Sequence, residues 1–284
     1  NFPLTLAPVT QWVDATLWYE GTWKTPHAQA AGWLNATAVT AAAPSGGTWA
    51  EFDALDPSLA GYLARQGQHI GAVLYDVTRG ITYQYNADKG FIVASSVKVP
   101  IMLALLTQIE DQGREPNDDE MNLLTTMIEN SDNDSAQLLY EEIGDAPGLT
   151  AFMQRIGVSA LTASSGTWGW STITPAAMAQ LLALLDAGNV LTAEHGALAL
   201  NLMESVESDQ QIGVGTTAPA GATVAVKDGW VGGPDGLWVM NSSGIVSVGS
   251  EKYIISVFTD DDDALDQGWS ITEHVCGAAA SLLV

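Results

Sequence analysis

The chain is short of positive charge. Nine Lys plus Arg stand against 33 Asp plus Glu, a formal net charge of −24 with a pI near 4.1. Such a surface repels polyanions, which excludes nucleic acid and anionic membranes as partners and favours neutral or cationic substrates. Cysteine is almost missing too: Cys276 alone builds neither a disulfide framework nor a cysteine zinc site, and its apolar C-terminal setting reads as buried packing. The four histidines, His27, His69, His195 and His274, lack metal-ligand spacing and read as surface or satisfied core residues, so neither metal nor cofactor is expected. No uncharged run reaches the ~20 apolar residues of a membrane span. The chain opens at Asn1 without a charged and apolar leader, as a processed or trimmed secreted protein would, and as a cytoplasmic one could. A Gly-x-Ser-x-Gly elbow is missing, and "GVGTTAPAGA" lacks the Lys-Ser/Thr ending of a P-loop. "TDDDDALDQG", Thr259 to Gly268, lacks the closing Glu of a calcium loop and reads as a solvated acidic turn before a last helix starting near Ile271.

What is present is the material of a globular enzyme. With 284 residues and 47% hydrophobic content the chain can bury a sizeable core in one large or two modest domains. Residues 1–50 are rich in Trp, Ala, Thr and Gly, alternate in short strand-like runs, and end in the linker-like "AAAPSGGTW". They read as an N-terminal arm or part of an SH3-like attachment module. "DPSLAGYLARQG" carries an N-cap at Asp56, Pro57 at the first helical position and Gly67 past the end. Two alternating runs joined at Arg79-Gly80 predict a hairpin. Residues 95–206 are helical throughout by period, and "ATVAVKDGW", "GLWVMNSSGIVSVG" and "KYIISVFTD" are strand candidates ahead of a final helix. The order predicts an α/β (α+β) fold. An antiparallel sheet, with strands from 51–94 and 207–284, would be flanked by helices and interrupted by an all-helical lobe, 95–206.

The chemistry concentrates in three short stretches. Ser95 and Lys98, three apart at the head of "SSVKVPIMLALL", share one face of a helix that is apolar nearly all round. A lysine on a buried helix needs a reason, and lowering its pKa by desolvation lets it take a proton from a serine that is otherwise a poor nucleophile. "ENSDNDSAQLL" adds Ser131-Asp132-Asn133 between two helices, with Asp132 as the acceptor fixing the turn, and "VAVKDGW" adds Lys227-Asp228-Gly229 in a strand.

Ser-x-x-Lys, Ser-Asp-Asn and Lys-Thr/Ser-Gly in that order resemble the signature of class A β-lactamases and penicillin-binding proteins. "TITPAAMAQLLALL" and "APAGATVAVKDG" extend the likeness over residues 55–284. The resemblance implies a β-lactamase/transpeptidase-like fold with no cofactor, extracytoplasmic and bacterial, acting on a β-lactam or a cell-wall peptide. It implies Ser95 as acylated nucleophile, Lys98 as its base, Ser131 as proton relay to the leaving nitrogen, Asn133 as substrate amide holder and Lys227 as positive charge behind Ser131. The oxyanion hole would be the N–H groups of Ser95 and of Trp230, after Gly229.

Three departures shape the expectation. The stretch "SSGTWGWS" has no acid where class A enzymes carry the glutamate that deacylates, so slow turnover is expected. Asp228 replaces a hydroxyl that would donate to a substrate carboxylate, so either it points away or the substrate is an amide or ester without that group. The interval between Lys98 and Ser131 is short, which opens the cleft beside Trp168, Trp170, Trp230 and Trp238. The alternatives are a non-catalytic cell-envelope binding module and a D-Ala-D-Ala peptidase-like enzyme.

Overall fold

A computed structural model describes residues 48–284 fully. Of residues 1–47 it gives only the backbone course of β1 (Leu4–Val13), β2 (Thr16–Lys24) and β3 (Gln29–Asn35), an antiparallel sheet in that order. The reading of residues 1–50 as an arm or attachment module, and His27, otherwise lie outside the described residues.

The central sheet is six-stranded. Its strands are β4 (Thr48–Glu51), β5 (Ile70–Asp76), β6 (Ile81–Tyr85), β10 (Thr223–Gly232), β11 (Trp238–Val248) and β12 (Glu251–Asp262), in the order β10-β11-β12-β5-β6-β4. Two tiny strands, β7 (Phe91–Ile92) and β8 (Leu161–Thr162), flank β9 (Thr172–Ile173) in a separate sheet. The expected antiparallel pairing holds except at β4, which runs parallel to β6. Thr48 and Trp49, read as the end of a linker, are strand. That pairing joins residues far apart in sequence, and no local pattern announces it.

Local signals set the element ends. Asp56 accepts the N–H of Leu59 at 2.7 Å and starts α1 (Pro57–Gln66), and Gly67 ends it at φ 64°. Consecutive residues of β11 and β12 are buried, so both sheet faces must be covered. α9 (Leu265–Leu283) packs on β11 and β12, and its His274 stacks on Tyr62 of α1 at 3.9 Å. α6 (Pro175–Asp186) lies on β5 and β12, where Gly71 leaves room for Phe91 and Pro175. α9 begins six residues before the expected Ile271. The acidic run is not a solvated turn either: Thr259 to Asp262 belong to β12, and Asp262 is buried with Thr259 Oγ1 donating to it at 2.6 Å.

The helical lobe surrounds α2 (Lys98–Asp111), buried on nearly every side by α3 (Asp118–Glu129), α4 (Asn133–Glu142), α5 (Asp145–Arg155) and α7 (Ala193–Glu204). The capping box of Asn117 and Glu120 opens α3. His195 is a satisfied core residue, as expected, bonded to Glu110 at 2.9 Å and Glu115 at 2.8 Å. A short α8 (Val214–Thr217) precedes β10. Cys276 is buried. No helix among the described residues is long and apolar enough to cross a membrane.

Candidate active site

The site lies where sheet and helical lobe meet. The chain leaves β7, turns through a 3-10 segment, Ala94–Val97, and enters α2 at Lys98. Ala94 sits at φ 45°, the left-handed region that favours glycine, so the turn is strained just before Ser95. Ser96 fixes it: its one hydroxyl hydrogen is shared between Lys227 O at 3.1 Å and Asn241 Oδ1, while Asn241 Nδ2 donates to Val93 O at 3.0 Å. Gly229 of β10 completes the clamp. A Cβ there would stand 2.7 Å from Ser95 N and 2.8 Å from Ser96 N, so the strand backbone rests directly on the amides of these two serines.

Lys98 Nζ is the hub. It lies 3.2 Å from Ser95 Oγ, 3.1 Å from Ser131 Oγ, 2.6 Å from Ser131 O and 2.8 Å from Asn133 Oδ1. The Trp168 ring stands over it at 4.9 Å to the centroid. Lys98 has no exposed surface, and burial, with the nearby Lys227 charge, brings its pKa down to about 7 against the pull of Asp132. An ammonium has three hydrogens for four acceptors. A neutral amine donates to Ser131 O and Asn133 Oδ1 and keeps its lone pair for the Ser95 hydroxyl.

Ser131 is held at φ 57° between α3 and α4. Asp132 behind it is structural, as expected, accepting Ser135 N–H at 2.7 Å as the N-cap of α4. Lys227 is buried, and its ammonium donates to Asp228 O at 3.1 Å, not to Ser131; it reaches Lys98 as a charge. Burial holds the Lys227 pKa below its ordinary value.

Asp228 is not in the cleft. Neighbours along a strand face opposite ways, and Lys227 and Gly229 take the side of Ser95. The Asp228 side chain is therefore turned inward, with no exposure, accepting Ile212 N–H at 2.7 Å, while Oδ1 has no hydrogen-bond partner. Burial pushes its pKa up against Ser242, Ile212 and Lys227. Of the two expectations for Asp228 the first therefore holds: the side chain points away from the cleft, and its place among the substrate-binding candidates is given up.

Trp168 is buried at Lys98, Trp170 is 39% exposed, and Trp230 and Trp238 are half-buried. Ser171 O accepts Val93 N–H at 2.9 Å, which pins the segment 163–171 to the nucleophile turn. That segment brings an indole, not a carboxylate, to Lys98. Sequence reasoning missed Ser96 and Asn241. Ser96 follows Ser95 directly, but nothing local marks Asn241, whose fully buried Asn-Ser-Ser fits a glycosylation pattern that is common by chance. His69, Asp260 and Asp261 meet as possible metal ligands within 4.8 Å, yet Lys89 Nζ already holds Asp260 at 2.5 Å, and nothing there builds a metal site.

With this geometry in hand, comparison places the chain. A family model described as the β-lactamase enzyme family matches residues 54–121 and 119–283. The chain belongs to the β-lactamase enzyme family. The fold is that of TLA-3 extended-spectrum β-lactamase, at TM-score 0.72 and 18% identity over 81% of this chain and 98% of that one. A β-lactamase from Chitinophaga pinensis aligns at TM-score 0.70 and 21% identity over 81% and 97% of the two chains. A PBP-A variant captured as its acyl-enzyme with penicillin G aligns at TM-score 0.70 and 18% identity over 82% and 97%. No curated protein matches the sequence.

Proposed function

We propose that this member of the β-lactamase family is an extracytoplasmic serine acyl-transfer enzyme that forms an acyl-enzyme on Ser95 and releases it slowly. The carrying observation is the buried Lys98, 3.2 Å from Ser95 Oγ and bonded to Ser131 and Asn133. Neutral Lys98 takes the Ser95 proton as Oγ bonds to the substrate carbonyl carbon. The oxyanion is held by the N–H groups of Ser95 and Trp230. When the carbon–nitrogen bond breaks, the proton on Lys98 passes through the Ser131 hydroxyl to the leaving nitrogen. Lys227 steadies the negative charge of the transition state.

Deacylation needs a base for water on the acyl face. Segment 163–171 brings the Trp168 indole over Lys98 and has no acid. That supports a long-lived acyl-enzyme. With Asp228 turned inward, nothing on β10 repels a substrate carboxylate, so β-lactams and peptides of the cell wall fall within the substrate class beside esters and amides.

The test is intact-protein mass after incubation with a fluorophosphonate and, separately, with a penicillin, for wild type and Ser95→Ala. Stable adducts that need Ser95 are expected with both. Absence of both adducts would leave a non-catalytic binding module of the envelope as the better account.

A further inference from the structure

Beside the nucleophile turn lies a cleft of about 210 Å³ that the proposed chemistry does not use. Trp170 and Trp238 are its aromatic walls, and Asp235, Asp260 and Asp261 bring carboxylates to it. The cleft is continuous with the site along the chain. Phe91 and Ile92, which line it, run into Ala94 and Ser95; Val231 follows Trp230 on β10. Trp170 closes the turn whose Trp168 covers Lys98 and whose Gly169 would bring an added Cβ to 3.9 Å from the Ala94 Cα.

The polar inventory of the cleft is one-sided. Lys89 offsets one of the three carboxylates through Asp260 Oδ2. His69 Nδ1 stands 3.3 Å from Asp260 Oδ1 and from Asp261 Oδ2, and is the other cation-forming group facing them. Asp260 Oδ1 is buried without a hydrogen-bond partner. Asp235 Oδ1 accepts Leu237 N–H at 3.1 Å and keeps its second oxygen for other donors. Two indoles beside an excess of carboxylates are surroundings that suit an aromatic or alkyl group bearing an ammonium, since aromatic rings and carboxylates both attract it.

We infer that this cleft receives a cationic side chain on the acyl portion of the substrate, an aromatic or alkyl ammonium seated between Trp170 and Trp238 and directed at Asp235 and Asp261. The inference rests on the acyl-enzyme reading for its link to the reaction, but binding in the cleft does not require catalysis. Its chemistry differs from an anion-selective pocket: a carboxylate at the same place is rejected.

The test uses Ser95→Ala protein and three para-substituted benzamides, 4-(aminomethyl)benzamide, 4-methylbenzamide and 4-carboxybenzamide, followed by tryptophan fluorescence at low salt. The ammonium ligand is expected to bind about tenfold tighter than the methyl ligand, and the carboxylate ligand weakest. The added double variant Asp235→Asn/Asp261→Asn keeps local structure, since Asn accepts the Leu237 N–H and tolerates the φ of 56° at Asp261. In it the preference should fall to about twofold, the residue expected from the distant surface charge. Trp170→Ala should weaken the ammonium and methyl ligands alike. Equal affinities for the three ligands, or a preference untouched by the double variant, would overturn the inference. In the wild type, matched p-nitrophenyl esters should show the same order in kcat/KM. A binding preference without Ser95-dependent ester cleavage would keep the cleft and sink the acyl-enzyme reading.

Discussion

If Lys98 is the base, Ser95 acylation must follow the titration of a lysine held far below its ordinary range. At pH 7 a lysine of ordinary basicity is neutral in about one molecule in ~3000, whereas one titrating at about 7 is neutral in about half. The site thus raises the reactive form roughly a thousandfold, an effect of roughly 4 kcal/mol on the availability of the base. The largest cause is burial under Trp168 and the helical lobe; the second is the Lys227 charge. The assay is the second-order rate of labelling by an uncharged fluorophosphonate between pH 5.5 and 9.5 at constant ionic strength. The rate should climb about tenfold per pH unit on the acid side and level off above about 7. Lys227→Met removes a repelling charge, so Lys98 holds its proton more firmly and the rising limb moves to higher pH. A flat profile, a midpoint at the ordinary lysine value, or a shift of the variant to lower pH would refute the assignment.

Gly229→Ala puts a methyl against the amides of Ser95 and Ser96, so overpacking should cost roughly 1–3 kcal/mol in thermal unfolding. Labelling should fall by about a hundredfold because the nucleophile moves. Asp228→Asn tests the inward carboxyl. Its raised pKa means that the folded state holds a proton the unfolded chain gives up. That stability is fully present below the ordinary Asp value of about 4 and is lost as pH rises through the raised folded value. The variant should therefore match wild-type Tm near pH 4 and exceed it at pH 8; a lower Tm at pH 8 would contradict this. Ser131→Gly should relieve the left-handed strain at φ 57° and raise stability by about 1 kcal/mol while slowing cleavage of amide substrates. A stability loss with unchanged turnover would remove Ser131 from the relay.

Much of the site was legible because its parts are local. A serine and a lysine three apart on a buried helix meet whatever the rest of the fold does, and Asp132 caps α4 from the sequence beside it. Asp56, Pro57 and Gly67 mark the ends of α1 for the same reason. The sheet split between the two ends of the chain also followed, from the change of hydrophobic period at residues 95 and 206.

What the tertiary structure decided were contacts between residues remote in sequence. Asn241 reaches the nucleophile turn only because β11 lies beside β10, and β4 finds a parallel partner 33 residues on. The indole of Trp168 stands over Lys98 because Ser171 pins its segment to Val93. His69 meets Asp260 and Asp261 across the sheet. Asp228 shows the division most clearly. Its identity raised two alternatives, and strand alternation with the closure of Ile212 over it chose between them. The order and spacing of residues determined which groups this protein has for chemistry. Burial, which depends on the whole fold, decided which of them carry a proton and which face the substrate.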